Sequence, residues 1–213
     1  MQDLREAWIA LQFGGATVYP LLALAVVALV LIIDKLFVYW RFARLPKPLI
    51  DLVETFGFSW DDLEGRLKDQ GARNYYAQFI RVILDNRQKP AWWVESRAAD
   101  EAQVLEKAFA RGLWVLETIV TAAPLLGLLG TIIGMMNSFN LISGDNLVDP
   151  AGVTGGVAQA LIATALGLLI ALIALFAFNF FSKLQAATID ELERIGTRLI
   201  DHIRLDQQQA GKP

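Results

Sequence analysis

Two long, nearly uncharged, glycine-rich segments separated by a very short turn constrain this chain more than anything else in it. The first runs from about Gly112 to Ser143 and carries Thr121-Ala-Ala-Pro-Leu-Leu-Gly-Leu-Leu-Gly-Thr-Ile-Ile-Gly134. The second runs from about Ala151 to Ser182 and carries Gly155-Gly-Val-Ala-Gln-Ala-Leu-Ile-Ala-Thr-Ala-Leu-Gly167. Each exceeds the roughly 20 apolar residues that span a bilayer, so the pair reads as a transmembrane helical hairpin. Its small residues recur at helical spacing. Gly130 and Gly134 form a GxxxG pair, extended by Ala123, Gly127 and Thr131; Gly156, Ala160 and Thr164, and Ala163, Gly167 and Ala171, do the same opposite. Small residues let helices approach closely in lipid, where no hydrophobic force draws them together. Pro124, Gly127, Gly130, Gly134, Gly156 and Gly167 are therefore the expected packing positions.

Composition agrees with a membrane protein that keeps a sizeable soluble portion. Hydrophobic residues make up 55% of the chain and charged residues 19%, and the mean hydropathy is positive. The formal net charge of −3 is too small to point to nucleic acid. With no cysteine and a single histidine, His202, there is no disulfide, no thiolate metal site and no histidine cluster; no cofactor is implied.

In chain order, residues 1–15 place Leu4, Ala7, Trp8 and Leu11 at helical spacing, as in an amphipathic helix at a membrane surface. Residues 16–40 form a first span, with Asp34 and Lys35 at its far interface beside Tyr39, Trp40 and Arg41. Residues 41–111 are a soluble helical loop holding twelve of the 19 basic residues. Within it, Ser59-Trp-Asp-Asp62 marks a helix start. Asn74–Arg87 forms a helix with Tyr75, Phe79, Val82 and Ile83 on one side, and a further pattern through Val94, Ala98, Leu105 and Phe109 runs unbroken into the second span, residues 112–143. The turn at 144–150 carries Asp145 and Asp149 and no basic residue. The third span, 151–182, continues into a tail, 183–213, whose stripe of Leu184, Ile189, Leu192, Ile195, Leu199 and Ile203 stays helical. Basic residues favour the cytoplasmic side, which puts the N-terminus and turn outside, and the loop and tail inside. The expected fold is thus all-α, with three transmembrane helices, the second and third extended into a cytoplasmic helical bundle. Trp92 and Trp93 read as packing or interfacial residues, and His202 as a solvated tail residue.

Polar residues within the hairpin carry the functional signal. Thr131 lies 13 residues before Gly144 and Thr164 13 residues after Ala151, so both belong about 20 Å in from the turn at about 1.5 Å per residue. Asn137 and Gln159 form a shallower pair, roughly 10 Å in. An unpartnered amide is costly in hydrocarbon, so these groups face protein or water; interhelical hydrogen bonding routinely accounts for threonines, and accounts for Gln159 about as well as a polar path does. No ionisable residue lies between Glu117 and the turn, or between Ala151 and Phe181. A proton path here would need its titratable carrier from another chain or from ordered water.

At these two motifs the chain resembles the family of ExbB, TolQ and MotA proton-channel subunits, its ExbB branch most of all, over nearly its whole length. The resemblance implies a homopentamer around a central pore, occupied by a dimer of ExbD-like single-span helices whose membrane aspartate carries the proton. It also implies an inner-membrane, multi-pass location, and a motor energising a TonB-like protein for uptake of ferric siderophores or cobalamin. Thr131 and Thr164 then match pore-facing threonines, with Gln159 and Asn137 beside the same path. Gln159 stands where ExbB and TolQ proteins have glutamate, and an amide does not titrate. The competing expectations are a TolQ-like subunit for envelope integrity and a non-conducting scaffold. An enzyme is not expected, since no nucleophile–base pair is present.

Overall fold

A computed structural model describes residues 17–42, 52–53, 58–69, 74–140 and 150–210. The helix expected over 1–15 and the turn expected over 144–150 fall outside them, save Pro150, which opens the last helix. All regular structure among the described residues is helical. It comprises α1 (Val18–Phe42), α2 (Trp60–Asp69), α3 (Tyr75–Asp85), α4 (Ala91–Ala110), α5 (Leu113–Asn140) and α6 (Pro150–Ala210). Among the described residues, three helical stretches are long and apolar enough to cross a membrane: Val18–Arg41, one within Ala91–Phe139 and one within Thr154–Gln209. The chain divides into two compact units, Met1–Ile33 with Gly112–Phe180, and Asp34–Arg111 with Phe181–Pro213.

In the first unit the buried residues are mostly small. Ala123, Ala160, Ala163, Ala171 and Ala174 are buried, while Leu125, Leu128, Met136, Leu161, Leu172 and Phe176 point outward. Leu21, Leu116, Ile119 and Ile170 are buried as well, but small residues at the contacts suit a setting where the solvent is lipid and tight contact, not water exclusion, holds helices together. Pro124 lies inside α5, where it lacks the N–H that would bond the carbonyl four residues back.

The second unit is built the opposite way. Leu63 and Leu67 of α2, Phe79, Ile80 and Ile83 of α3, Val94, Ala98 and Leu105 of α4, and Leu192, Ile195, Leu199 and Ile203 of α6 form one apolar core. The expected stripes on α4 and α6 are the buried ones. On α3 the buried face is Tyr76, Ala77, Phe79, Ile80 and Ile83, one step round from the expected Tyr75 and Val82, which are half-buried. Asn74 caps α3 by accepting from the amides of Tyr76 (2.9 Å) and Ala77 (3.3 Å). His202 is half-buried and not a free tail residue: its ring stacks on Phe58, 4.5 Å between centroids, and Nε2 lies 3.3 Å from the Val53 carbonyl. Trp92 is 69% exposed, and Arg97 lies over the Trp93 ring.

The helix expected to run unbroken from Ala91 into the second span is interrupted. α4 ends at Ala110 and α5 begins at Leu113, with Gly112 at φ +84°. That region is open to glycine and strained for other residues, so the residue type dictates the break. A helix end leaves carbonyls without amide partners. Lys35, 6% exposed, donates to one of them, the Phe109 carbonyl, at 2.6 Å. A cation at a helix C-terminus is also favoured by the helix dipole. Lys35 is thus packed against protein. Nearby, the Tyr39 hydroxyl meets the Leu184 carbonyl and the Thr188 hydroxyl of α6.

Burial pushes the Tyr76 phenol up to about 12, and burial followed by the Asp34 charge raises Tyr75. The fold favours neutral Tyr76, so its contribution is intact below the ordinary value of about 10 and is lost as pH rises through the folded value. Absorbance titration of tyrosinate should therefore show a late transition near pH 12 that disappears in Tyr76→Phe. Ionisation of all tyrosines together near pH 10 would contradict this.

Candidate functional site

The hairpin of α5 and α6 closes through glycine. A Cβ on Gly127 would lie 2.9 Å from the Ala163 carbonyl oxygen and 3.0 Å from Thr164 Cα; one on Gly167 would lie 2.5 Å from the Ala123 carbonyl oxygen. One on Gly134 would meet Ala160 Cβ at 3.0 Å and the Gly156 carbonyl oxygen at 3.2 Å, and one on Gly156 would run into Ser138 Oγ. At Gly130 the neighbours are Ala163 Cβ and, 2.8 Å away, the hydroxyl of Thr17. The five glycines singled out in sequence all sit where backbones or small side chains touch. Pro124 is half-buried.

Thr164 Oγ1 donates across the hairpin to the Gly127 carbonyl at 3.0 Å. This bond needs the close approach, because a side chain at Gly127 would occupy its space. The helical ladder of α5 brings the Thr131 amide to the same carbonyl four residues back. The Thr131 hydroxyl itself donates to Leu128 O at 2.6 Å. Thr164 therefore meets α5 at Gly127, one helical turn from Thr131, and each threonine hydroxyl donates to a different carbonyl. Thr131, Thr164 and Gln159 are half-buried and Asn137 is exposed.

Two polar groups at this interface were not picked out from sequence. Ser138 is 2% exposed and its hydroxyl donates to Gly134 O at 2.9 Å. Its signal was available, since it extends the Gly130–Gly134 series by one more helical step. Thr17 had no comparable signal, because its partner Gly130 is distant in sequence.

This unit defines a polytopic helical membrane protein whose uncharged hydroxyls and amides lie along a close-packed hairpin. The model of the MotA/TolQ/ExbB proton channel family matches residues 67–194, more than half the chain. The biopolymer transport protein ExbB-like 3 of Synechocystis sp. is 30% identical over 187 residues, covering 84% of this chain and 87% of that protein. The ExbB-like 1 protein of the same organism is 30% identical, covering 87% and 74%. The biopolymer transport protein ExbB of Xanthomonas campestris is 39% identical over 90 residues, 42% of this chain and 36% of that protein. The chain belongs to the MotA/TolQ/ExbB proton channel family, a family of transport subunits and not of enzymes.

If glycine is required for contact, its replacement should be tolerated only where space is open. Alanine is the better helix former by about 1 kcal/mol. Gly155, with nothing within 4 Å of a Cβ, should accept alanine without loss. Gly167→Ala should lower thermal stability in detergent by several degrees, because its Cβ would collide with backbone. Equal behaviour of the two variants would contradict the packing.

Proposed function

We propose that this protein is an ExbB-like subunit of a proton-driven motor in the bacterial inner membrane. Five copies surround a pore that holds a dimer of ExbD-like single-span helices, and proton entry moves that partner and energises a TonB-like protein. The N-terminus and the α5–α6 turn face the periplasm. The second unit lies in the cytoplasm as a helical bundle with the tail, and the segment boundaries are those read from the sequence.

Family membership supports this reading, and one observation carries it: hydroxyls and carboxamides at membrane depth on a stretch without any ionisable group. Residues 118–140 of α5 and 150–182 of α6 contain no Asp, Glu, Lys, Arg or His. A channel of this family needs a titratable group, and here the partner supplies it. Thr131, Thr164, Gln159 and Asn137 line the path that the partner's carboxyl travels. Gln159 orients water or the partner and does not relay protons, since a carboxamide has no titratable proton in this range. The outward-facing apolar residues of α5 and α6 meet lipid or neighbouring subunits.

Deletion of the gene should abolish radiolabelled ferric-siderophore uptake while periplasmic contents stay retained. Complementation by Gln159→Glu should restore uptake with normal assembly, whereas Thr164→Val should assemble and restore little. A leaky envelope with intact uptake would overturn the TonB assignment in favour of a TolQ-like role. Full uptake with Thr164→Val would overturn the site.

A further inference from the structure

The second unit holds an open groove between α4 and α6, with a cavity of about 360 Å³. Ala98, Ala99 and Ala102 line it from α4, and Gly196 and Ile200 from α6. Gly196 keeps its wall low for an internal reason. A Cβ there would lie 2.9 Å from the ring of Phe79, which floors the groove.

Contacts at one end fix how the two helices run. Arg204 pairs with Glu95 at 2.9 Å, and Gln207 Nε2 donates to the Lys89 carbonyl at 2.8 Å just beyond. Lower numbers on one strand of this pair meet higher numbers on the other, so α4 and α6 are antiparallel. Eleven residues on from Glu95 along α4 stands Glu106, and eleven residues back from Arg204 along α6 stands Glu193. Both line the cavity. The two carboxylates therefore stand at one level on opposite walls. Among the described residues neither makes an ion pair. Arg204 is the one cation among the residues lining the cavity, and Glu95 and Asp201, the latter at 3.3 Å, already engage it. Like charges brought together without a counter-charge repel. The walls beside them are apolar and built of small residues, which lets a further helix approach to the usual interaxial distance of about 8–10 Å.

We propose that this groove is the docking site of a basic, amphipathic helical segment of another protein. The segment lies along α4 and α6 with small or aliphatic side chains on Ala98, Ala102 and Ile200, and sets an arginine or lysine between Glu106 and Glu193. From Glu95 to Glu106 the groove extends about 16 Å at about 1.5 Å per residue, room for about three helical turns. Apolar contact supplies the area, as in other helix-in-groove complexes. The charges supply direction, because Arg204 neutralises Glu95 at one end while the carboxylates at the other stay open. An acidic segment is repelled there. The proposal stands apart from the hairpin chemistry and does not depend on the proton-motor reading.

Fluorescence anisotropy tests it, with the full-length protein in nanodiscs titrated into a labelled synthetic peptide and empty nanodiscs as the baseline. The probe is a peptide of about twelve alanine and leucine residues with two arginines one helical turn apart near one end. A second peptide carries glutamine in place of both arginines. The arginine peptide should bind above the baseline, and Glu106→Gln/Glu193→Gln should weaken that binding about tenfold. Ala99→Trp fills the groove from an exposed position outside the apolar core, and should weaken binding at least as much. Absence of binding, equal binding of the glutamine peptide, or affinity unchanged in the double glutamine variant would each overturn the proposal. The competing occupant is a second copy of this chain. If Ala99→Trp dissociates the protein's own oligomer in light scattering while its thermal melt is unchanged, the groove is a contact between copies and the proposal is overturned.

Discussion

Close approach of two helix backbones is the constraint on which this protein depends. In lipid, apolar side chains gain nothing by leaving their solvent for one another, so association relies on contact and hydrogen bonding. The α5–α6 hairpin meets that requirement with glycine. Gly127, Gly130, Gly134, Gly156 and Gly167 stand where any larger residue would collide. The bond from Thr164 to the Gly127 carbonyl is a product of that proximity. Packing and polar chemistry at this site therefore share one cause.

The single helix α6 shows how solvent dictates composition. Within its first half it buries Ala160, Ala163, Ala171 and Ala174 and turns leucines outward; beyond Phe181 it buries Leu192, Ile195, Leu199 and Ile203 instead. The second half packs as a water-soluble protein does, with large apolar residues in a common core with α2, α3 and α4. Polar anchors occur where helices end or meet within that unit: Lys35 on the Phe109 carbonyl in the last turn of α4, Tyr39 and Thr188 on Leu184.

Helix periods and small-residue spacing made most of this visible in the sequence, because both features are local. The α4 and α6 stripes and all five hairpin glycines could be read directly from i, i+3 and i+4 intervals. What escaped depended on specific tertiary partners. The α3 face was misplaced by one step, because Tyr75 and Tyr76 are chemically alike and only the core decides which is buried. The break at Gly112 was hidden, since an isolated glycine in an apolar helical pattern is ambiguous until its φ is known. His202 looked like a tail residue, yet Phe58 and the Val53 carbonyl, far away in sequence, hold it. Thr131 and Thr164 were expected at one depth, but Thr164 meets the carbonyl of Gly127, four residues or about 6 Å along α5 from Thr131. The bond from Thr164 to the Gly127 carbonyl required coordinates, because it depends on the rotation of each helix about its axis.

Disulfide trapping of the hairpin tests the central claim most directly, and the natural absence of cysteine makes it clean. Ser138 Cβ lies 3.2 Å from where a Cβ on Gly156 would stand, near the Cβ separation of roughly 3.5–4.5 Å that a disulfide needs. The Ser138→Cys/Gly156→Cys pair should oxidise rapidly to an intrachain disulfide in native membranes. The neighbouring Phe139→Cys/Gly155→Cys pair, both outward-facing, should not. Equal trapping of both pairs, or failure of the first, would contradict a hairpin held by glycine contact.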